Sequence, residues 1–284
     1  MQSRPPSEHE PRRCRLCGEQ RPLTFEHIPP RSAHNRAPAA IQGIETWLAR
    51  DSDPNAVARR PQVQQRGSGA YSLCGPCNNL AGRLYVPEFR HWIEMGTTVL
   101  FGPDDLAARF RDERETAYAT VKLKQRRPAR FVKQIATMLL AMSPPGLGDN
   151  FPELRAYAAD PNAVGFPDRL RLYLALYAGP HVRYAAGAAT VRNFLTTGTE
   201  IHHVYELAYP PFSYILSLEE QTPVIETGNA SNFGSLRIDQ SADVELQMIV
   251  GYGETPLPLD LRSPAALTAD TSEREPFMPP WGGK

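Results

Sequence analysis

All four cysteines of this 284-residue chain stand in two pairs of one spacing, Cys14-x-x-Cys17 and Cys74-x-x-Cys77. Thiolates three positions apart on a tight turn can grip a single metal ion, and two such pairs supply the four sulfurs of a closed tetrahedral zinc site. Between the pairs runs Thr24-Phe25-Glu26-His27-Ile28-Pro29-Pro30, and Asn78-Asn79 follow the last cysteine directly. A hard divalent cation takes carboxylate and amide oxygens, which Glu26 and Asn78 supply. An imidazole is the side chain best poised to accept a proton near neutral pH, which His27 supplies. Phosphodiester hydrolysis needs those parts: an activated water, and a cation that offsets charge on the phosphate and leaving oxygens. Adjacent residues of a strand point to opposite faces, so Glu26 and His27 can serve one phosphate only if the chain bends, as Pro29-Pro30 would allow.

The order CxxC, Glu-His-Ile-Pro, CxxC-Asn resembles the HNH endonuclease family, the ββα-metal nucleases, in its zinc-stabilised branch. The resemblance covers about 14–85, with 34–70 as an insert longer than usual for the family. It implies that the knuckles clamp a catalytic hairpin to the following helix. Cys14, Cys17, Cys74 and Cys77 would then hold structural Zn2+, Glu26 and Asn78 a catalytic Mg2+ or Mn2+, and His27 would be the general base of DNA cleavage leaving a 5′-phosphate. A role in restriction or phage defence follows by analogy alone. Two departures stand out. The commoner family residue before the histidine is aspartate, where this chain has Glu26. The family's middle asparagine, which supports the catalytic loop, would fall near Gly69, with Asn35 and Asn55 as substitutes. The alternative function is a catalytically inactive, zinc-stabilised regulator that binds DNA or RNA. A zinc deaminase fits poorly, because its His-x-Glu and Pro-Cys-x-x-Cys pattern is not met: Glu26 precedes His27, and Gly75-Pro76 lie inside the pair.

Zero formal charge conceals a division. Residues 1–133 carry 22 Lys+Arg against 14 Asp+Glu, and residues 134–284 carry 9 against 17, giving +8 and −8. Only four of the 31 basic residues are lysine, and arginine is the better bidentate phosphate donor. Arg31, His34 and Arg83 lie near the motif as candidate nucleic-acid contacts. The stretch Lys122–Lys133, with Arg126, Arg127 and Arg130, reads either as a solvated linker or as a backbone contact. His91, His181, His202 and His203 read as structural.

The positioning elements follow from local pattern. Cys14–Gly18 predicts a tight knuckle with Gly18 at positive φ. Leu23–Ile28 reads as a short strand, 31–70 as a long polar insertion with one apolar patch at Ile41–Leu48 and one short helix, and the second knuckle as the start of a helix near Asn78 reaching about Gly82. Phe89, Trp92 and Ile93 fall at helical spacing before Gly96, Val99–Phe101 reads as a strand, and Pro103-Asp104-Asp105 starts a helix reaching Ala119. Phe131, Ile135, Met138, Leu139 and Met142 predict a buried amphipathic helix. Beyond about residue 181, alternation at Ile201/His203/Tyr205/Leu207 and Val244/Leu246/Met248/Val250, with the runs Ser213–Leu218 and Leu236–Ile238, predicts an antiparallel sheet. The expected fold class is α+β. It comprises an N-terminal zinc-bound ββα-metal module over 1–100, a basic helical connector over 101–130, an α+β domain of unassigned role over 131–262 with a mainly antiparallel sheet, and a loose tail over 263–284. No apolar run approaches membrane-helix length and the opening residues lack a secretion-signal pattern, so the expected setting is cytoplasmic, with no membrane partner. A single nuclease site cuts one strand, so double-strand cutting would take sequential nicks or a homodimer, for which the C-terminal domain is the expected interface.

Overall fold

The computed structural model describes residues 11–36, 38–41, 62–65, 67–104, 106–107, 117–178, 183–192, 199–218 and 227–251. Expectations placed on Asn55, His181, most of the 34–70 insert and the 263–284 tail lie outside these residues. The fold is α+β with a mostly antiparallel sheet.

The N-terminal part is assembled from short strands. β1 (Arg12–Arg13) and β2 (Gln20–Arg21) pair antiparallel around the first knuckle, where Gly18 takes φ +80° as expected. β3 (Leu23–His27) is the predicted strand, and its partner lies beyond the insert. A 310 turn, Arg31–Ala33, follows it, then a minor hairpin of β4 (Ala39–Ile41) and β5 (Gln62–Gln64). β6 (Gly69–Cys74) returns antiparallel to β3 and runs directly into α1 (Gly75–Leu84), whose second residue is the proline favoured in a helix's first turn. The motif residues therefore sit on two antiparallel strands and the helix that follows them.

α2 (Val86–Phe101) corrects two expectations. The helix continues through Gly96, so Val99–Phe101 is its last turn and not a strand. Gly96 is there for close packing: a Cβ would come within 2.7 Å of the Phe212 ring and 2.9 Å of Pro211.

The helical connector is also corrected. Ala117–Arg126 forms β7, an edge strand of the main sheet, so the expected helix cannot reach Ala119. Ala119, Val121 and Leu123 pack against the core while Tyr118, Thr120, Lys122 and Lys124 stay exposed, the period-two alternation of a half-buried strand. Pro128, expected as an interruption, opens the next helix, α3 (Pro128–Met142). Every α3 residue from Pro128 to Ala141 except Arg130 is buried, because α3 packs against α2, β6 and α5 (Pro152–Ala159) at once. Phe131 stacks on Trp92 with ring centroids 4.0 Å apart and planes 8° apart. Truncating either ring would cost about 3–5 kcal/mol. α4 (Gly146–Asn150) is a short turn before α5.

The main sheet comprises β7, β8 (Arg171–Tyr177), β9 (Arg183–Arg192), β10 (Thr199–Tyr209), β11 (Phe212–Ser217) and β12 (Ala242–Gly251), in the order β7-β12-β8-β11-β10-β9. Neighbours are antiparallel except β12 and β8, which run parallel. The alternation read for β12 is present: Val244, Leu246, Met248 and Val250 are buried. Leu236–Ile238 is not a strand, since it follows the 310 turn Ser231–Ser235 in an irregular segment. The expected divisions at 100 and 130 fall inside one contiguous apolar cluster running from Cys14 and Leu16 through Trp92 and Phe131 to Met248. Among the described residues no helix is long and apolar enough to cross a membrane.

Candidate metal centre and the Glu26–His27 hairpin

The knuckle Cys14–Gly18 closes through Gly18 N–H to the Cys14 carbonyl at 2.8 Å, and Cys74 and Cys77 lie at the junction of β6 with α1. One ligand atom from each of the four cysteines lies within 4.8 Å of the others, and Cys17 Sγ stands 3.8 Å from Cys74 Sγ. Four sulfurs at zinc–sulfur bond length in a tetrahedron are about 3.8 Å apart, so the set fits zinc. None of the four is in a disulfide. Hydrogen bonds, the Cys77 thiol first and the backbone N–H of Cys74 among the others, hold Cys14 down to about 4, as a ligating thiolate requires.

The centre is bolted to the rest of the chain. Arg15, inside the first knuckle, donates to the carbonyls of Ala141 and Ser143 and so caps the C-terminal end of α3. Ser143 in turn accepts from the Tyr184 hydroxyl of β9 at 2.9 Å. Arg13 pairs with Asp149 at 3.0 Å, and Arg155 reaches the Gly148 carbonyl at 2.7 Å.

On β3 the alternation expected of a strand holds. The Phe25 ring meets His27 edge-on at 5.0 Å and Tyr71 at 5.4 Å, so these three rings share one face. Glu26 points the other way and is 6% exposed. Thr24, exposed and set off from Phe25 by a shift in the pairing with β6, accepts a hydrogen bond from Asn78 Nδ2 at 3.0 Å, and the same amide reaches the Phe25 carbonyl at 3.4 Å. Asn78 thus ties the start of α1 to the strand beside Glu26. No hydrogen bond or ion pair reaches the Glu26 carboxylate among the described residues, and burial alone pushes its pKa up to about 7. A buried carboxylate without a counter-charge is costly.

Asn35, one of the two substitutes read for the middle asparagine, bridges the chain after β3 and the chain before β6. It is 2% exposed, and its amide donates to the carbonyls of Pro29 and Ser68, both at 2.7 Å, while its oxygen accepts from Ser68 N–H at 2.8 Å. Ser68 Oγ donates to the Ile28 carbonyl at 2.6 Å. Gln64 braces Gly69 through both its backbone groups. The chain after His27 is therefore locked to the chain before β6 by side-chain amides.

The candidate phosphate contacts separate. Arg31, Arg83 and Arg127 are exposed. His34 is half-buried at φ +66°, with its pKa lowered by burial and then by the charge of Arg36. Arg130 is committed internally, donating to the Ile238 carbonyl at 2.8 Å and the Leu84 carbonyl at 3.4 Å. Arg126 donates to the Lys124 carbonyl and lies 4.0 Å from the buried Glu88 carboxylate. Lys133, read with that basic run, is 0% exposed: it caps the end of α5 through the carbonyls of Tyr157 and Asp160 and stands 3.8 Å over the Tyr157 ring. Of the lone histidines, His91 and His203 are exposed. Arg15, Thr24 and Lys133 carry structural duties that no local pattern announced. No family model matches the chain, and no curated protein or solved structure does either.

Proposed function

We propose that the chain is a metal-dependent endonuclease of the HNH kind, hydrolysing DNA phosphodiester bonds. The observation that carries this reading is the buried Glu26 carboxylate, with no hydrogen-bond partner among the described residues, on a hairpin that Asn78 ties to α1 next to four clustered cysteines. Glu26 and the Asn78 oxygen would hold a Mg2+ or Mn2+ ion, which would supply positive charge against the negative charge developing on the phosphate and the leaving oxygen. His27, outside that burial, takes the proton of the attacking water. Asn35 keeps the segment after His27 in place, and the cysteines hold a structural zinc that leaves no coordination position for a substrate. That closed set weighs against a deaminase, which needs an open position on its zinc.

One observation favours a second reading, an inactive nucleic-acid-binding regulator: Glu26 turns inward while His27 lies beside Phe25 on the other face. A nicking assay separates the two. Supercoiled plasmid should be nicked with Mg2+ or Mn2+ and not without them. His27→Ala should abolish nicking while retaining one tightly held zinc per chain and undiminished DNA binding. DNA binding by the parent without nicking in either metal would establish the regulator, and undiminished nicking by His27→Ala would sink the assignment of His27. Restriction, phage defence and pairing of two copies for double-strand cuts are extensions of the nuclease reading.

A further inference from the structure

The basic run 122–133 was the strongest sequence candidate for holding a nucleic-acid backbone, yet Arg126, Arg130 and Lys133 are spent on internal partners. Lys124 and Arg127 stay exposed there, and a second exposed set follows the hairpin directly in sequence. The 310 turn Arg31–Ala33 begins four residues after His27 and packs against α2. Arg31 and Arg36 are exposed at this turn, Arg36 leaning on the Arg31 carbonyl at 3.4 Å. On α2, Arg90 and His91 are 55% and 47% exposed and share one acidic neighbour, Glu94, at 3.1 and 3.5 Å. His34, between the two groups, senses both Arg36 and Glu94, which places the turn and this stretch of α2 in one field. The other acid of α2, Glu88, is buried and bonded to Trp92.

We infer that the 310 turn and the exposed face of α2, through Arg31, Arg36, Arg90 and His91, form the seat of the DNA backbone on the His27 side of the site. The inference rests on the nuclease reading and deepens it by fixing where the duplex lies. Three arginines against one exposed carboxylate give an electropositive face, and guanidinium groups pair bidentately with phosphate. The Arg90–Glu94 pair is an exposed helix pair at i,i+4, which is weak and salt-screened, so a phosphate displaces the carboxylate readily. Such contacts set position and not base preference, so the seat is indifferent to sequence.

The test uses the full zinc-loaded chain with His27→Ala, so that binding is read without cutting, and a fluorescent 30-base-pair duplex titrated across a salt series. Arg31→Gln, Arg36→Gln and Arg90→Gln combined should weaken binding and make the plot of log affinity against log salt shallower by about 0.9 per arginine that contacts a phosphate. Glu94→Gln should move the other way and tighten binding several-fold. Arg169→Gln, an exposed arginine elsewhere, should leave the slope unchanged. Far-ultraviolet dichroism and zinc content confirm that each variant is folded. A triple variant with the parent's affinity and slope overturns the seat while the nuclease reading stands, provided the His27-bearing chain nicks plasmid. A parent chain that neither binds duplex nor nicks plasmid overturns the reading on which the seat rests.

Discussion

Glu26→Gln should stabilise the metal-free protein and remove its response to divalent ions. The Glu26 carboxyl is pushed from 4.5 to about 7 by burial, with no partner among the described residues to offset it. A raised acid pKa means the folded chain holds this proton when the unfolded chain has released it. Between about pH 4.5 and 7 the folded state therefore binds more protons, and stability falls as pH rises through that window. At roughly 1.4 kcal/mol per pKa unit the accumulated penalty reaches about 3 kcal/mol above pH 7. Glutamine has no charge to bury, so at pH 8 the variant should exceed the parent by up to about 3 kcal/mol, and the gap should close toward pH 4.5. The assay is urea unfolding at a series of pH values between 5.5 and 8.5, on protein holding one zinc per chain and no other divalent ion, followed by tryptophan fluorescence. Cysteine and zinc titration is common to both proteins and cancels in the difference. Adding Mg2+ or Mn2+ at about 100 times its dissociation constant should restore roughly 2.7 kcal/mol to the parent at pH 8 and little to the variant. Parallel stability curves for the two proteins, or an equal gain from the added ion, would refute the reasoning.

Asn35→Ala should cost about 2 kcal/mol in urea unfolding, because the Pro29 carbonyl and the Ser68 N–H lose their partner while the Ser68 carbonyl keeps the Ile28 N–H; a cost below about 0.5 kcal/mol would mean the clamp is not formed in solution. Cys77→Ser should release zinc and deprotect β3, β6 and the last turn of α3 together in hydrogen exchange, since Arg15 links the knuckle to that turn; protection lost from the hairpin alone would break the link. Lys133 has its pKa lowered from 10.5 to about 8 by burial, so the folded chain binds fewer protons than the unfolded one between those values and stability should rise with pH there. The stability difference between the parent and Lys133→Met should therefore change by up to about 3 kcal/mol from pH 8 to 10.5, and a flat difference counts against the cap.

The metal centre was legible because CxxC spacing is a local rule: each knuckle closes on itself, and four clustered thiols follow from its repetition. The α3 helix and β12 were legible from periodicity at 3.6 and 2 residues. What escaped depends on partners remote in sequence. Asn35 clamps Ser68 33 residues away across an insert, so its role as loop support could not be fixed by spacing. Lys133 looked like part of a solvated basic run, but its carbonyl partners lie 24 and 27 residues further along. The β7 strand carried a visible signal in Ala119, Val121 and Leu123, which the helix start at Pro103 and the density of arginines outweighed. Val99–Phe101 has strand-like composition, yet Gly96 lets α2 press against Phe212 and the helix runs on. Phe25 and His27 share one face of β3 while Glu26 is buried, and the pairing with β6 shifts register between Thr24 and Phe25, an irregularity that no residue type in the sequence announces.

The central claim, that His27 takes the proton from water during metal-dependent phosphodiester hydrolysis, is tested most directly by single-turnover cleavage of an end-labelled duplex in Mg2+. His27→Ala should slow cleavage by about 10²–10⁴-fold, and added imidazole should restore part of the rate in the variant without accelerating the parent. An unchanged rate in His27→Ala, or a duplex that the parent leaves intact at every Mg2+ and Mn2+ concentration, would contradict it.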